Sequence, residues 1–285
     1  MARIRPSTSA RLPARRPVLV AGSIFSLAVF VTVTWLVATN PAAGMRILWQ
    51  GIVPLLPLLL LAAPNLWTSV CPMAVLQSVP RRLHLPSRQI RLHPGQQLML
   101  ESGGIALLYV LVPLRHLVFD PVPATDLVVL LLLPIVAAAA GFWFLGLSGW
   151  CNGLCPVQPV ESLYGIFTRE RARPETCRDC AACNASCRRL HPEDGLARLT
   201  QAHPLRLFAY SFPGFVLGWF LARGQTSLAT VFAVNWGVAA GTALLGIGLE
   251  RFGLARTTLV KLSALAALAT YYAFRVPELI QVWSS

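Results

Sequence analysis

Apolar residues form seven long runs along the chain, and short polar segments separate these runs. Each run has roughly the 20 residues that an α-helix needs to cross the hydrocarbon core of a bilayer. The runs cover residues 17–39, 47–63, 98–119, 127–147, 207–222, 227–249 and 257–274. This pattern predicts an all-α integral membrane protein with about seven transmembrane helices.

The composition supports the same class of protein. Of the 285 residues, 55% are hydrophobic and 12% are charged, and the mean hydropathy is +0.62. Because a soluble domain has about 25% charged residues, these values argue against a soluble globular enzyme. The first apolar run is longer than the roughly 7 to 15 residues of a signal-peptide core, so we expect a retained helix rather than a cleaved signal.

The net charge of +13 comes almost wholly from arginine, since Lys261 is the only lysine. With a cytoplasmic N-terminus, 19 arginines fall in segments 1–16, 65–97, 148–206 and 250–256, and four fall on the opposite side. Those four are Arg46, Arg115, Arg223 and Arg275. Cytoplasmic loops of membrane proteins carry excess arginine, so the charge predicts this orientation and no nucleic-acid partner.

This orientation divides the chain into four parts. Residues 1–16 form a basic cytoplasmic tail, and residues 17–147 form a four-helix membrane core. Residues 148–206 form a cytoplasmic insert, and residues 207–285 contain three further membrane helices.

The cysteines are the candidate metal ligands. Cys177, Cys180, Cys183 and Cys187 form a CxxCxxCxxxC run, which is the spacing that binds a [4Fe-4S] cluster in bacterial ferredoxins. A structural zinc site typically uses two separated CxxC pairs instead. An odd number of cysteines in a reducing compartment is also a poor disulfide framework. The insert is therefore predicted to be small, ferredoxin-like and iron-sulfur binding.

The sequence leaves the fourth ligand of this cluster open. In two-cluster ferredoxins the last cysteine of such a run binds the other cluster and precedes a proline. Here Arg188 follows Cys187. We therefore prefer Cys155, a remote cysteine followed by proline, as the fourth ligand, with Cys187 as the alternative.

Two Cys-Pro motifs follow the first and second predicted helix pairs. Residues 67–72 have the pattern WxxxCP and residues 151–156 have the pattern CxxxCP, with Gln77 and Glu161 at matching offsets. This pseudo-repeat predicts two related hairpins that bring three cysteines together near the cytoplasmic face. They are Cys71, Cys151 and Cys155. Each is expected to be either a metal ligand or a small buried residue, and the possible second, incomplete site consists of Cys71 and Cys151 together with Cys187.

With these motifs the chain resembles the membrane-bound polyferredoxin family of the NapH and NosR type. It is also similar to the ferredoxin-type membrane proteins of methylamine utilisation. The resemblance covers about residues 17–190: a polytopic core, Cys-Pro motifs at helix ends and a ferredoxin-like segment. Family members usually have two full CxxCxxCxxxCP runs and two CxxxCP motifs, whereas this chain has one run without its proline and has Trp67 in place of a cysteine.

The resemblance implies a function in the inner (plasma) membrane of a bacterium. It implies one-electron transfer through a [4Fe-4S] cluster, between a quinol or cytoplasmic donor and a partner redox protein or complex, with no substrate turnover by this chain. The alternative is a maturation or redox-sensing factor for such a partner. Membrane lipid is the other expected partner.

Two sets of residues inside the apolar runs have simpler expected roles. The GxxxG pairs Gly214/Gly218 and Gly237/Gly241 predict close helix packing. Glu101, and Arg115 with His116 at the far end of the same run, are expected to anchor the helix at the membrane interfaces; the alternative is part of a quinol site.

Overall fold

The computed structural model describes residues 17–88, 90–167 and 192–284. In this part of the chain helices are joined by short turns and loops, and the only β-type pairing is an isolated bridge between Ile90 and Phe144. The all-α prediction is therefore confirmed for the described residues. The cysteine run at residues 177–187 lies outside them.

Proline starts many of these helices. Its fixed φ suits the first helical position, where a missing N–H costs no hydrogen bond. In chain order the helices are α1 (Pro17–Thr39), α2 (Pro41–Ala62), α3 (Pro64–Val70), α4 (Pro72–Arg82), α5 (Pro94–Phe119), α6 (Pro123–Trp143), α7 (Gln158–Tyr164), α8 (Pro192–Gln201), α9 (His203–Leu221), α10 (Leu228–Arg251) and α11 (Arg256–Ser284).

Six of the described helices are long and apolar enough to cross a membrane: α1, α2, α5, α6, α10 and α11. This confirms a multi-pass membrane protein, although the sequence predicted about seven spans. The remaining candidate, α9, has 19 residues and is not among the six, because its turns include His203, Arg206 and several small or polar residues.

The ends of α9 nevertheless lie at opposite ends of the helix bundle. Arg206 in its first turn pairs with Glu250 at the end of α10, with 3.5 Å between Nε and Oε2. Near its other end, the carbonyl oxygen of Trp219 lies 3.0 Å from Nε2 of His116 in α5. Helix α9 therefore runs the length of the bundle beside the six apolar helices.

The main core surrounds α9, which buries most of its aromatic side chains. It packs closely on α10 through small residues: a Cβ on Gly214 would lie 2.3 Å from the Val238 carbonyl oxygen, and one on Gly218 would lie 2.8 Å from Asn235 Cα. The packing role predicted for this GxxxG pair is confirmed. For Gly237 and Gly241 it is wrong in the described part of the chain, since a Cβ there would meet nothing within 4 Å.

Helix α5 joins this core to the cysteine-bearing half of the protein. The Tyr109 ring stacks on Phe215 of α9 at a centroid distance of 4.0 Å, and its hydroxyl lies 2.6 Å from that of Ser211. The indole N–H of Trp236 in α10 donates to the Tyr109 carbonyl at 3.0 Å. These contacts fix α5, and the loops packed on its first turns, relative to the core.

Candidate functional site

Two Cys-Pro turns lie at one end of the bundle, called here the cysteine end. Cys71 follows the last residue of α3, and Cys155 follows a π-helical turn at Trp150–Leu154. Their backbone dihedrals are nearly the same, with φ −53° and ψ 124° at Cys71 and φ −61° and ψ 124° at Cys155. A following proline favours this extended conformation, so the sequence repeat corresponds to a repeated local structure.

In both turns backbone N–H groups point at the cysteine sulfur. The N–H groups of Met73 and Ala74 hydrogen-bond to Cys71, and those of Val157 and Gln158 hydrogen-bond to Cys155. Donors at a sulfur stabilise its thiolate form. The two turns therefore offer matching environments for an anionic sulfur ligand.

The two thiols also influence each other. Burial raises the pKa of the Cys71 thiol, and burial together with the neighbouring Cys71 raises the pKa of Cys155 to about 12. The carboxylate of Glu161 acts on both thiols in the same direction. Because metal ligation requires thiolates, a positively charged group would have to offset this cost of ionisation.

Cys151 is held through its backbone by a residue of the first Cys-Pro repeat. Its backbone N–H donates to Oε1 of Gln77 at 3.1 Å. Its side chain and that of Cys155 both pack against a small apolar cluster built on Trp150, Ala137 and Ala140. Among the described residues, no three His, Cys, Asp or Glu side chains are grouped closely enough to hold a metal ion. A cluster at this end therefore needs ligands from the residues that the structure does not describe.

Gln77 ties the first turn to the second. It lies on α4, six residues after Cys71, and is almost fully buried. Besides accepting from Cys151, its Nε2 donates to the Gly146 carbonyl at 3.5 Å. A Cβ on Gly141 of α6 would lie 2.1 Å from the Gln77 carbonyl oxygen, so only glycine allows this approach of the helices. The repeat identified Gln77 by position but not this role.

A buried polar network supports the second turn from α5. Glu101 is fully buried and accepts hydrogen bonds from Nη2 of Arg198 at 2.7 and 2.8 Å and from Nε2 of Gln97 at 3.1 Å. The same Nε2 of Gln97 donates to the carbonyl oxygen of Asn152, inside the CxxxCP motif. Since Arg198 lies on α8, directly after residues 168–191, the network connects the end of that segment to the turn that carries Cys155.

The interfacial role predicted for Glu101 is therefore wrong. Helix α5 begins at Pro94, one turn earlier than the apolar run, so Glu101 lies inside the helix and faces inward. Arg115 and His116 lie at the opposite end of α5 and share no site with it. Sequence reasoning missed Gln97 and Arg198; the spacing of four between Gln97 and Glu101 was the available signal.

No protein-family model, curated protein or solved structure matches this chain. The resemblance to membrane-bound polyferredoxins therefore stays a prediction that rests on the cysteine motifs.

Proposed function

We propose that this protein is a membrane-anchored iron-sulfur component that passes single electrons between a quinol or cytoplasmic donor and a partner redox enzyme or complex. The main supporting observation is the pair of matching Cys-Pro turns at one end of the bundle, with backbone N–H groups directed at both sulfurs. Helices α7 and α8, between which the ferredoxin-like run is inserted, lie at the same end.

The residues fit a [4Fe-4S] cluster in their donor chemistry, because cysteine thiolates are its usual ligands. Cys177, Cys180 and Cys183 are the proposed ligands from the run, with Cys155 as the fourth and Cys187 as the alternative. When bound, the cluster would supply one-electron transfer. Cys71 is close enough to Cys155 to raise its pKa and is a described thiol that could replace it as a ligand.

Several groups of the chain would set the reduction potential of such a cluster. Hydrogen bonds to sulfur, net charge and solvent exposure are the main determinants. The N–H donors of Val157 and Gln158 favour the more negative, reduced state, whereas the Glu161 carboxylate disfavours it. The network of Gln97, Glu101 and Arg198 acts indirectly, because it holds the turn in place.

The orientation belongs to the same proposal. With seven crossings and a cytoplasmic N-terminus, the cysteine end faces the cytoplasm of a bacterial cell, where thiols stay reduced. Helix α9 would be the seventh crossing, since it runs between the two ends of the bundle.

The test begins with the metal content of the full chain. Protein purified without oxygen should contain iron and acid-labile sulfide, and dithionite should bleach its visible absorption. Stoichiometric zinc without sulfide would refute the proposal. A cluster that neither quinol nor a soluble donor reduces would favour the maturation or redox-sensing function instead.

Single substitutions then test the ligands. Cys155→Ser should lose cluster iron nearly as severely as Cys180→Ser, while Cys187→Ser should be milder. Cys151→Ser is the matched comparison on the same turn, because Cys151 belongs to the same CxxxCP motif and is not a proposed ligand of this cluster. If Cys187→Ser abolished the cluster while Cys155→Ser kept full iron and sulfide, the run would be self-sufficient.

A further inference from the structure

The end of the bundle opposite the cysteines contains a second group of polar residues, called here the arginine end. Helices α2, α5, α9 and α11 all contribute to it. Its residues are Trp49, Gln50, Arg115, His116, Asp120, Trp219, Arg223, Arg275 and Glu278. Two of its helices contain π-helical segments here, at Ile47–Ile52 and Arg115–Phe119, and such segments often occur at functional sites.

A cavity of about 300 Å³ opens at this end. Polar and charged side chains form most of its wall, although the surrounding helices are apolar. The lining residues are Gln50, Arg223, Arg275, Glu278, Leu279 and Gln281.

The cavity wall has more positive than negative charge. Glu278 pairs with Arg223 and also accepts from Nη1 of Arg275 at 2.9 Å, so two guanidinium groups share one carboxylate. Arg115 nearby has its own partner, Asp120, at 2.8 Å. Burial, and then repulsion from Arg275 and Arg115, lower the pKa of Arg223 to about 10. An anion in the cavity would relieve this repulsion.

One of these guanidinium groups also has an unused donor. The Arg275 side chain is only 9% exposed, and its Nε has no hydrogen-bond partner among the described residues. Oε1 of Gln50, which also lines the cavity, is an acceptor without a donor in the described part of the chain, so it would pair with a hydroxyl of a ligand and not with an anionic oxygen. A buried donor without an acceptor is costly, so a ligand oxygen would be favoured at this position.

The level of the cavity in the membrane indicates which molecule would supply such an oxygen. The Arg115 guanidinium lies 3.8 Å from the centre of the Trp49 ring and 5.4 Å from that of Trp219, and Arg223 lies 4.6 Å from the Trp219 ring. Tryptophan and arginine together at a helix end mark the level of lipid headgroups. The most abundant oxyanion at this level is the phosphate of a membrane lipid.

We propose that this cavity binds a phosphate ester, held by the Arg223 and Arg275 guanidinium groups, and that the headgroup of an anionic membrane lipid supplies it. Free phosphate has the same chemistry and is the alternative source. Glu278 lies on the same wall and opposes anion binding, while it also holds the two arginines in position.

The full chain in a neutral detergent provides the test. Short-chain phosphatidylglycerol should raise the thermal unfolding midpoint and change tryptophan fluorescence, and phosphatidylcholine at the same concentration should have a much smaller effect. If inorganic phosphate reproduces the shift, the source is free phosphate and the site is still supported. Equal effects of the two lipids, or no effect of any probe, would overturn the proposal.

Variants with opposite expected effects exclude a purely structural explanation. Arg223→Gln should weaken phosphatidylglycerol binding about tenfold, because a charge-assisted hydrogen bond is lost. Glu278→Gln should strengthen it, since the competing carboxylate is removed. Arg46→Gln, an exposed arginine that does not line the cavity, is the matched control and should bind like the original chain. Weaker binding by Glu278→Gln, or equal losses in Arg46→Gln and Arg223→Gln, would contradict the assignment.

Discussion

The cysteine end and the arginine end both bury charged and polar side chains, but more of the buried polar atoms at the arginine end have no hydrogen-bond partner among the described residues. At the arginine end, three buried side-chain N or O atoms have no hydrogen-bond partner among the described residues. They are Nε1 of Trp219, Oε1 of Gln50 and Nε of Arg275. At the cysteine end the corresponding set contains Nε1 of Trp150 alone.

The buried polar side chains of the two ends therefore have different roles. Around Cys155, the bonds of Gln77, Gln97 and Glu101 are made within the chain and hold the backbone of the turns in one arrangement. Such internal satisfaction is what a rigid ligand frame requires. At the arginine end, two of the residues with an unpartnered atom, Gln50 and Arg275, line the cavity, where a bound molecule could supply the missing partners.

The largest expected effect is in chemical labelling, because the two ends of the bundle are proposed to face opposite sides of the membrane. With α9 as a crossing, Thr226→Cys should react with a membrane-impermeant maleimide on intact cells. Phe252→Cys, at the other end of α10 and 87% exposed, should react only after permeabilisation. The unsubstituted chain controls for the native cysteines. Equal labelling of both variants would show that the loops at residues 226 and 252 face the same side, which contradicts the proposed topology.

The next largest effect is expected for the ion pair of Glu101 and Arg198. Arg198→Met should destabilise the protein by about 3 kcal/mol, because it leaves a fully buried carboxylate without its cation. Glu101→Gln should destabilise the protein less than Arg198→Met does, since Arg198 is 24% exposed and can turn toward water. Denaturant unfolding in detergent measures the free energy of unfolding of both variants. The reverse order would mean that the pair does not hold the cysteine end together.

A smaller loss is expected where α4 meets α6. Gly141→Ala should cost about 2 kcal/mol, because its Cβ would overlap the Gln77 carbonyl and separate the two repeats. Gly237→Ala is the matched control: nothing lies within 4 Å, and alanine favours a helix more than glycine does. Thermal unfolding of the two variants gives the comparison. Similar midpoints would show that the contact at Gly141 is dispensable.

The smallest effect concerns the partly exposed pair of Arg115 and Asp120. Asp120→Asn should change stability by less than about 1 kcal/mol, because Asp120 is 39% exposed and solvent screens the pair. The same unfolding assay applies. A loss of stability as large as that of Arg198→Met would show that this exposed pair matters as much as the buried pair at the cysteine end.

The sequence predicted the helices well because membrane spans are defined by local hydropathy. The run at residues 227–249 corresponds to α10 at Leu228–Arg251, and the start of α5 was missed only because its first turn, with Gln96 and Gln97, is polar. The run at residues 207–222 was located correctly, although α9 is less apolar than the six spans.

The side-chain partners were harder to predict. Arg198 bonds to Glu101 across 97 positions and Gln77 to Cys151 across 74, and no local pattern in one sequence encodes such pairs. The Cys-Pro repeat indicated that the two turns are related, because proline fixes the local backbone of the cysteine before it. The role of Arg223 and Arg275 also depends on tertiary structure: charge counting predicted a side of the membrane for them but not the cavity that they line.

The attachment of residues 168–191 to the helix bundle determines which replacements of this segment the fold should tolerate. Leu163 and Tyr164, before residue 168, and Leu199, after residue 191, are buried in one core cluster, so both flanks of residues 168–191 belong to the bundle. The entropy of closing a loop grows only slowly with its length. Replacing residues 168–191 with a longer or shorter segment should therefore leave the membrane bundle folded. We therefore expect that residues 168–191 can be replaced as a unit while the helices on either side of them stay the same.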